Sequence, residues 1–328
     1  MSKQSRLFRH LIFAVALGAM AWFSALAQAA AVLTSGASAA GFTLSTFVDQ
    51  IPNLGANNVG PVGILSTPNG VFISGYASGE VRLFTDVDAQ HWSNSIAGSS
   101  GFSRPTGLAS VGSHVYMANQ SSGQVVEINP TTGALIQTIV TIGGATGLVA
   151  NPVTGHLYLS TGASVFEIDP IAKTSTLFVS QAADGLTITS DGKTLYLANI
   201  GTGHLLGFDT TTRAPVFDSG FIGGGIDGSA LGTGSLAGNI FINVNNGALL
   251  EVNLASKAIT GIVTGGSRGD LVTVDSNGSL LFTQTDSVLR LTAPIGGGFG
   301  NVAEPATLAL FTIGLAGLGF SRRKRAAK

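Results

Sequence analysis

Six segments of the chain begin alike: Pro61-Val-Gly-Ile, Pro105-Thr-Gly-Leu, Ala145-Thr-Gly-Leu, Ala183-Asp-Gly-Leu, Ile226-Asp-Gly-Ser and Arg268-Gly-Asp-Leu. Measured at the third residue of each (Gly63, Gly107, Gly147, Gly185, Gly228, Asp270), the steps are 44, 40, 38, 43 and 42 residues. No unit of this length buries its own apolar face, so successive units must pack on one another. The pattern inside the units therefore decides the fold.

Each unit carries a second apolar run with a large residue in register: Phe72, Tyr116, Tyr158, Tyr196, Phe241 and Leu281. A third run ends at Phe84, Ile128, Ile168, Phe208, Val252 and Leu291, and four of these are followed by Asn129, Asp169, Asp209 or Asn253. An Asx residue there bonds its own backbone and turns the chain into a fourth run. Alternation in Val125-Val-Glu-Ile and Val165-Phe-Glu-Ile has the period of a strand, and no long helical period occurs between Phe42 and Leu291. Units of four short strands repeating at this spacing predict an all-β fold, a six-bladed β-propeller. The sixth unit lacks a fourth strand, whereas Phe42 to Asp49 (FTLSTFVD) precedes the first unit and resembles Lys173 to Ser180 (KTSTLFVS). An open ring would expose a strand edge, so the N-terminal strand is expected to complete blade six.

Composition narrows the partners. A net charge of -1 with 10% charged residues offers no basic field for nucleic acid. The absence of cysteine excludes disulfides, thiolate metal sites and cysteine nucleophiles.

Both ends depart from the repeat. Lys3, Arg6 and Arg9 precede an apolar run from Leu11 to Phe23, and Ala25-Leu26-Ala27 supplies the small residues that signal peptidase accepts. Residues 1–29 thus read as a secretory signal helix cut near Ala27 or Ala29, residues 41–294 as the propeller, and 295–301 as a Gly-rich linker. Residues 302–328 form a tail: Val302-Ala303-Glu304-Pro305, an apolar helix from Ala306 to Phe320, then Ser321-Arg322-Arg323-Lys324-Arg325. An apolar segment closed by a cationic cluster reads as a stop-transfer element with its end in the cytoplasm.

The ordered Val-x-Glu-Pro motif, the Leu/Ala/Gly-rich apolar segment and the basic end resemble the PEP-CTERM signal, with Ala303 where that family usually has Pro. The resemblance implies that Glu304, Pro305, Arg322, Arg323, Lys324 and Arg325 address the chain to an exosortase. This is a membrane cysteine protease-transpeptidase of Gram-negative bacteria that also make exopolysaccharide. The implied location is the cell envelope or the extracellular matrix, with membrane association through the tail.

One face of the ring is expected to gather polar side chains where the innermost strands begin: Arg104, Thr106, Thr146, Asp184, Asp227, Arg268 and Asp270. Loops after the second strands should add Asn119, Asn199, Asn243, Asn245 and His204. The unit Ala183 to Asp209 resembles NHL/YVTN repeat proteins and the regucalcin/gluconolactonase lactonases. The latter resemblance implies a divalent cation, such as Ca²⁺, held by Asp184, Asp227 and Asn199. The position of the lactonases' first-blade Glu reads Val59, which binds no metal. Gly265-Gly-Ser267-Arg-Gly269 and Gly223-x-Gly225-x-x-Gly228 match nucleophile-elbow and dinucleotide patterns, but both lie between strands without the helix that these sites require. His114 and His156 are expected in loops of the opposite face, and Glu127, Glu167 and Glu251 as solvated strand positions. Two readings of function follow: a non-catalytic module that binds a polysaccharide, peptide or protein, or a metal-dependent lactonase-like hydrolase or lyase.

Overall fold

The structure is a computed structural model that describes residues 30–300. The expected signal helix, the apolar helix and the sorting-motif residues lie outside the described residues. Six sheets form the blades of the ring, antiparallel throughout except where Gln90–His91 pairs parallel to Thr43–Asp49 at the edge of blade six. Blade two is representative, with Pro105–Val111 innermost, then His114–Asn119, Gln124–Ile128 and, outermost, Leu135–Thr141. Blade six is built as its short sixth unit demands: Val272–Val274, Leu280–Thr283 and Val288–Thr292 come from the last repeat, and Thr43–Asp49 pairs antiparallel to Val288–Thr292. Phe47 and Val48 of that strand are fully buried, so the two ends of the repeat are joined through the core.

The large residue of each second strand packs at a junction between blades. Six apolar clusters of the described residues sit at the six junctions. Phe72 meets Leu108 and Met117 of the next blade, Tyr158 meets Leu186 and Leu197, and Leu281 closes the circle against Ile64 and Ile73. Around the channel the inner strands approach so closely that a side chain is excluded. A Cβ on Gly147 would lie 2.1 Å from the carbonyl oxygen of Asp184, and one on Gly63 would lie 2.1 Å from that of Thr106. The repeated glycine therefore serves the contact between blades rather than a turn. Leu271 N donates to Val62 O at 3.2 Å and carries the same contact across the closure.

The Asx turns form as expected. Asp209 Oδ1 accepts from the Thr211 and Thr212 amides at 3.0 and 2.7 Å, and Asn253 Oδ1 from Ala255 and Ser256 at 3.1 and 2.8 Å.

Three features differ from expectation. The Gly-rich stretch is not simply a linker, since Gly297–Phe299 pairs antiparallel to Gly232–Gly234 of blade five and Phe299 is wholly buried. Composition hid this because four glycines, Gly296, Gly297, Gly298 and Gly300, surround the one anchoring ring. The fold also begins before residue 41: Val32–Leu33 adds a strand to the edge of Ile259–Thr264, and the helix Ser35–Ala40 follows, capped by Thr34 and by Gly41 at φ 94°. Finally, Asp270 stands one place earlier in its repeat than spacing suggested. Val272 faces Phe282 as Ser229 faces Ile242 and Leu186 faces Leu197, which puts Asp270 in register with Asp227 and Asp184, and Leu271 in register with the glycines.

Candidate functional site

The corrected register makes one ring of side chains at the upper mouth of the channel, where the inner strands begin: Val62, Thr106, Thr146, Asp184, Asp227 and Asp270, one from each blade. Half the ring is apolar or hydroxylic and half is acidic. Asp227 is fully buried and Asp270 is 4% exposed, with Asp184 partly open to a cavity of about 90 Å³. Val59, expected at the place of a ligating Glu, lines this same cavity.

Three carboxylates in one buried ring cannot all ionise cheaply. Burial first, and then the charge of Asp270, raise Asp184 to about 6. Burial, reinforced by Asp184 and Asp270, holds Asp227 well above the ordinary carboxylate range. Asp270 is also raised by burial, against the opposing pull of the Arg268 guanidinium. Arg268 Nη2 lies 2.6 Å from Asp270 Oδ1, and its Nε lies 3.3 Å from Oδ2. The polar neighbours of the Asp227 carboxyl are Asp184, Asp270 and the Gly228 amide.

The other half of the mouth is a chain of neutral hydrogen bonds. Tyr76 Oη donates to Gln120 Oε1 at 2.8 Å, Gln120 Nε2 to Thr146 Oγ1 at 3.2 Å, and Thr146 Oγ1 to Gly144 O at 3.0 Å. Arg104, held at φ 59°, lies 5.2 Å over the Tyr76 ring and donates to its hydroxyl at 3.2 Å. Sequence reading missed Tyr76 and Gln120. Their signal was position, since each sits just beyond the end of a second strand, but no motif marks it.

Several expected site residues do other work. Asn199 Oδ1 accepts from the Gly201 and Thr202 amides of its own turn, both at 3.1 Å, and its Nδ2 donates to Gln181 Oε1. Its carbonyl oxygen is thus spent on loop geometry. Asn243 is a buried brace whose Nδ2 donates to Asp270 O and Thr283 O at 3.0 and 3.1 Å. Thr106 bridges Ala118 O and Ala145 O at 3.3 and 3.2 Å while lining the cavity. His204 pairs with Asp218 of the outer strand at 2.9 Å and stands away from the channel cavity. Asn119 is 6% exposed with an unpartnered Oδ1, and the Asn245 Oδ1 is likewise buried and unpartnered.

The lactonase resemblance demands convergent oxygen donors for a divalent ion, and the residues here do not fit one. Asn199 is engaged, Arg268 covers Asp270, and among the described residues no group of three or more His or acidic side chains is arranged to hold a metal.

On the opposite face, His114 and His156 are paired rather than loose. His114 Nδ1 lies 2.6 Å from Glu127 Oε1, and His156 Nδ1 lies 2.8 Å from Glu167 Oε1, beside a cleft of about 590 Å³. Glu127 is only 7% exposed, and its bond to His114 holds its carboxyl below the usual range. In blade five the equivalent pair is Asn239 Nδ2 to Glu251 Oε1 at 2.6 Å. A pairing repeated with an amide in place of imidazole fastens strands and needs no titration, so this face is the weaker candidate.

Comparison with known proteins bears on the address and on the fold. Residues 301–324 match the PEP-CTERM protein-sorting motif. The chain carries a PEP-CTERM sorting signal. That signal implies export, processing by an exosortase, and a place at the bacterial cell envelope or outside the cell. No curated protein matches the PEP-CTERM chain in sequence. Among solved structures it is similar to luciferin-regenerating enzyme at 13% identity and TM-score 0.59, over 80% of this chain and 99% of that one. Streptogramin B lyase aligns at 13% identity and TM-score 0.52, over 77% and 98%. An auxiliary nutrient binding protein from Bacteroides thetaiotaomicron aligns at 11% and 0.56, over 77% and 76%. At these identities the likeness is one of fold, the propeller.

Proposed function

We propose that this exported PEP-CTERM propeller is a non-catalytic binding module of the Gram-negative envelope or exopolysaccharide matrix, and that its ligand meets the acidic upper mouth. The observation that carries the reading is the ring of Asp184, Asp227 and Asp270 at the channel mouth, mutually opposed and raised, with Asp184 and Asp270 lining the cavity there. A fold that keeps such a cluster at a channel mouth gives up stability for it, as binding sites do. Export through the N-terminal signal and signal peptidase, with transient anchoring by the apolar tail, would bring the ring to the matrix.

The test is metal analysis and lactone hydrolysis on the purified chain, beside retention of the chain in the matrix of its host. The expected outcome is sub-stoichiometric metal, no hydrolysis, and release of Asp184→Asn and Asp270→Asn variants into the medium. Stoichiometric metal and lactone hydrolysis that are lost together in Asp227→Ala would replace this reading with that of a hydrolase.

A further inference from the structure

The end of the channel opposite the acidic mouth is apolar. An opening of about 260 Å³ there is lined from the inner strand of every blade, by Ile64, Leu108, Leu148, Leu186, Ala230 and Val272, so it lies on the axis of the ring. Gly300, the last described residue, sits at its rim, one place beyond the buried Phe299, and its amide donates to Leu231 O at 2.6 Å. Apolar side chains also stand out on this lower face, on both sides of the axis. Val153 lies on the turn after the inner strand of blade three, Leu148–Ala150, and Ile171 on the turn after its third strand, Val165–Asp169. Ile295 follows the third strand of blade six, Val288–Thr292. These strands run from the acidic mouth to the lower face, and blades three and six face each other across the channel. Ile171 is 91% exposed and Ile295 wholly so.

Exposure alone does not choose this face, because Leu54 and Phe221 are exposed at the upper one. The place where the described chain ends does choose. Residues 301–305 separate Gly300 from the apolar run 306–320, a reach of at most about 20 Å even at full extension. The inner strand Pro105–Val111, with seven residues, makes the wall of the ring itself about 20 Å tall. A tether that starts on the axis and must first cross the lower face cannot also climb that wall. With the run 306–320 in a bilayer, only the lower face reaches the surface. Charge adds little there: Lys173, Lys193 and Lys257 stand on turns of this face, and so do Asp169, Asp191 and Asp209, so the two signs offset one another.

Resting on the reading of the tail as a membrane anchor, we propose that the lower face is a seating surface for a phospholipid bilayer. Val153, Ile171 and Ile295 enter the zwitterionic headgroup layer, and the acidic mouth is turned away from the membrane toward the matrix. Three apolar tips are too few to hold a free ring. The tether makes the contact intramolecular, at an effective concentration on the order of millimolar, so a weak contact suffices.

The chain has no cysteine, so one introduced thiol carries a fluorophore at one known place. The full chain is reconstituted through its tail in phosphatidylcholine vesicles that contain a nitroxide-headgroup lipid, and is labelled in turn at Ile171→Cys, Ile295→Cys and Phe221→Cys. The two lower labels are expected to be quenched and the Phe221→Cys label to stay bright, at low and high salt alike, because the contact is apolar. Adding Val153→Asp and Ile171→Asp should abolish quenching at Ile295→Cys while the chain still floats with the vesicles, since charged tips lose the lipid but keep the tether. Both positions are exposed, so thermal unfolding in detergent should be unchanged. The same signal at all three labels, in a chain that floats with the vesicles, would overturn the seating and leave the anchor standing. Quenching at Ile295→Cys that survives both Asp substitutions, the mark of a tether alone, would also overturn it, as would quenching that salt removes. A chain that does not float with the vesicles would overturn the seating and the anchor together.

Discussion

At the scale of single residues, the acidic ring dictates an unusual response to pH. The Asp184 carboxyl stands at about 6 in the folded chain against an ordinary 3.8. Its protonated form is thus the one the fold prefers. The contribution of this group to stability is complete below about pH 4 and disappears as the pH rises through 6. Asp184→Asn should therefore be more stable than the parent at pH 7.5 by about 1–3 kcal/mol, and the difference should close near pH 4. Urea unfolding at the two pH values measures it. A variant less stable than the parent at neutral pH would mean that Arg268 compensates the cluster fully. Glu127 behaves in the opposite sense, since its lowered carboxyl stabilises above the ordinary value and loses that contribution as pH falls.

At the scale of elements, the ring is held by parts that are short and far apart in sequence. Arg290, 9% exposed on the third strand of blade six, pairs with Asp86, with Asp88 at 3.0 Å and with Asp275 at 3.0 Å, and lies 5.0 Å over Phe47. One guanidinium thus ties blade six, the closing strand and an outer loop of blade one. Basic residues at the Asx turns reach the preceding blade in the same spirit. Lys173 Nζ donates to Gln137 Oε1 at 2.6 Å, and Arg213 Nη1 donates to Leu177 O at 2.8 Å. The strand Gly297–Phe299 depends on one side chain, Phe299, whose ring centroid lies 4.8 Å from that of Phe241. Phe299→Ala is expected to cost about 3–5 kcal/mol in a denaturant titration, as for other buried aromatics. A cost below about 1 kcal/mol, the level of surface changes, would show that this stretch is a linker after all.

At the scale of the whole molecule, closure makes the fold one cooperative unit. Removing Thr43–Asp49 would leave Val288–Thr292 as an open apolar edge and uncover the contacts of Phe47 and Val48. Size-exclusion chromatography of that deletion should show dimers or aggregates in place of a monomer-sized ring, since an unpaired edge recruits another strand. A well-behaved monomer of unchanged stability would remove the closing role assigned to this strand. The two faces of the ring also differ in kind. The acidic mouth lies at one end of the channel, and at the other an apolar opening of about 260 Å³ is lined by Leu108, Leu148, Leu186 and Val272, with Gly300 at its rim. The described chain ends there, at Gly300, on the face opposite the proposed binding mouth.

What the residues determine alone follows from period and local chemistry. The forty-residue repeat, the strand alternation, the Asx turns and the spare strand at Phe42 to Asp49 each act through neighbours in sequence or through a count of units, and all were legible. The sorting motif was legible for the same reason, being a contiguous string. The site was legible only as a face. Which acids share a ring rested on a one-residue register at Asp270, and a β register is decided by pairing across strands that spacing cannot supply. Whether Asn199 offers its oxygen outward or spends it on its own turn, and whether Phe299 anchors a strand, also depended on contacts between distant segments. Burial is likewise a property of the assembled ring. Only that assembly makes three ordinary aspartates into a cluster that resists ionisation.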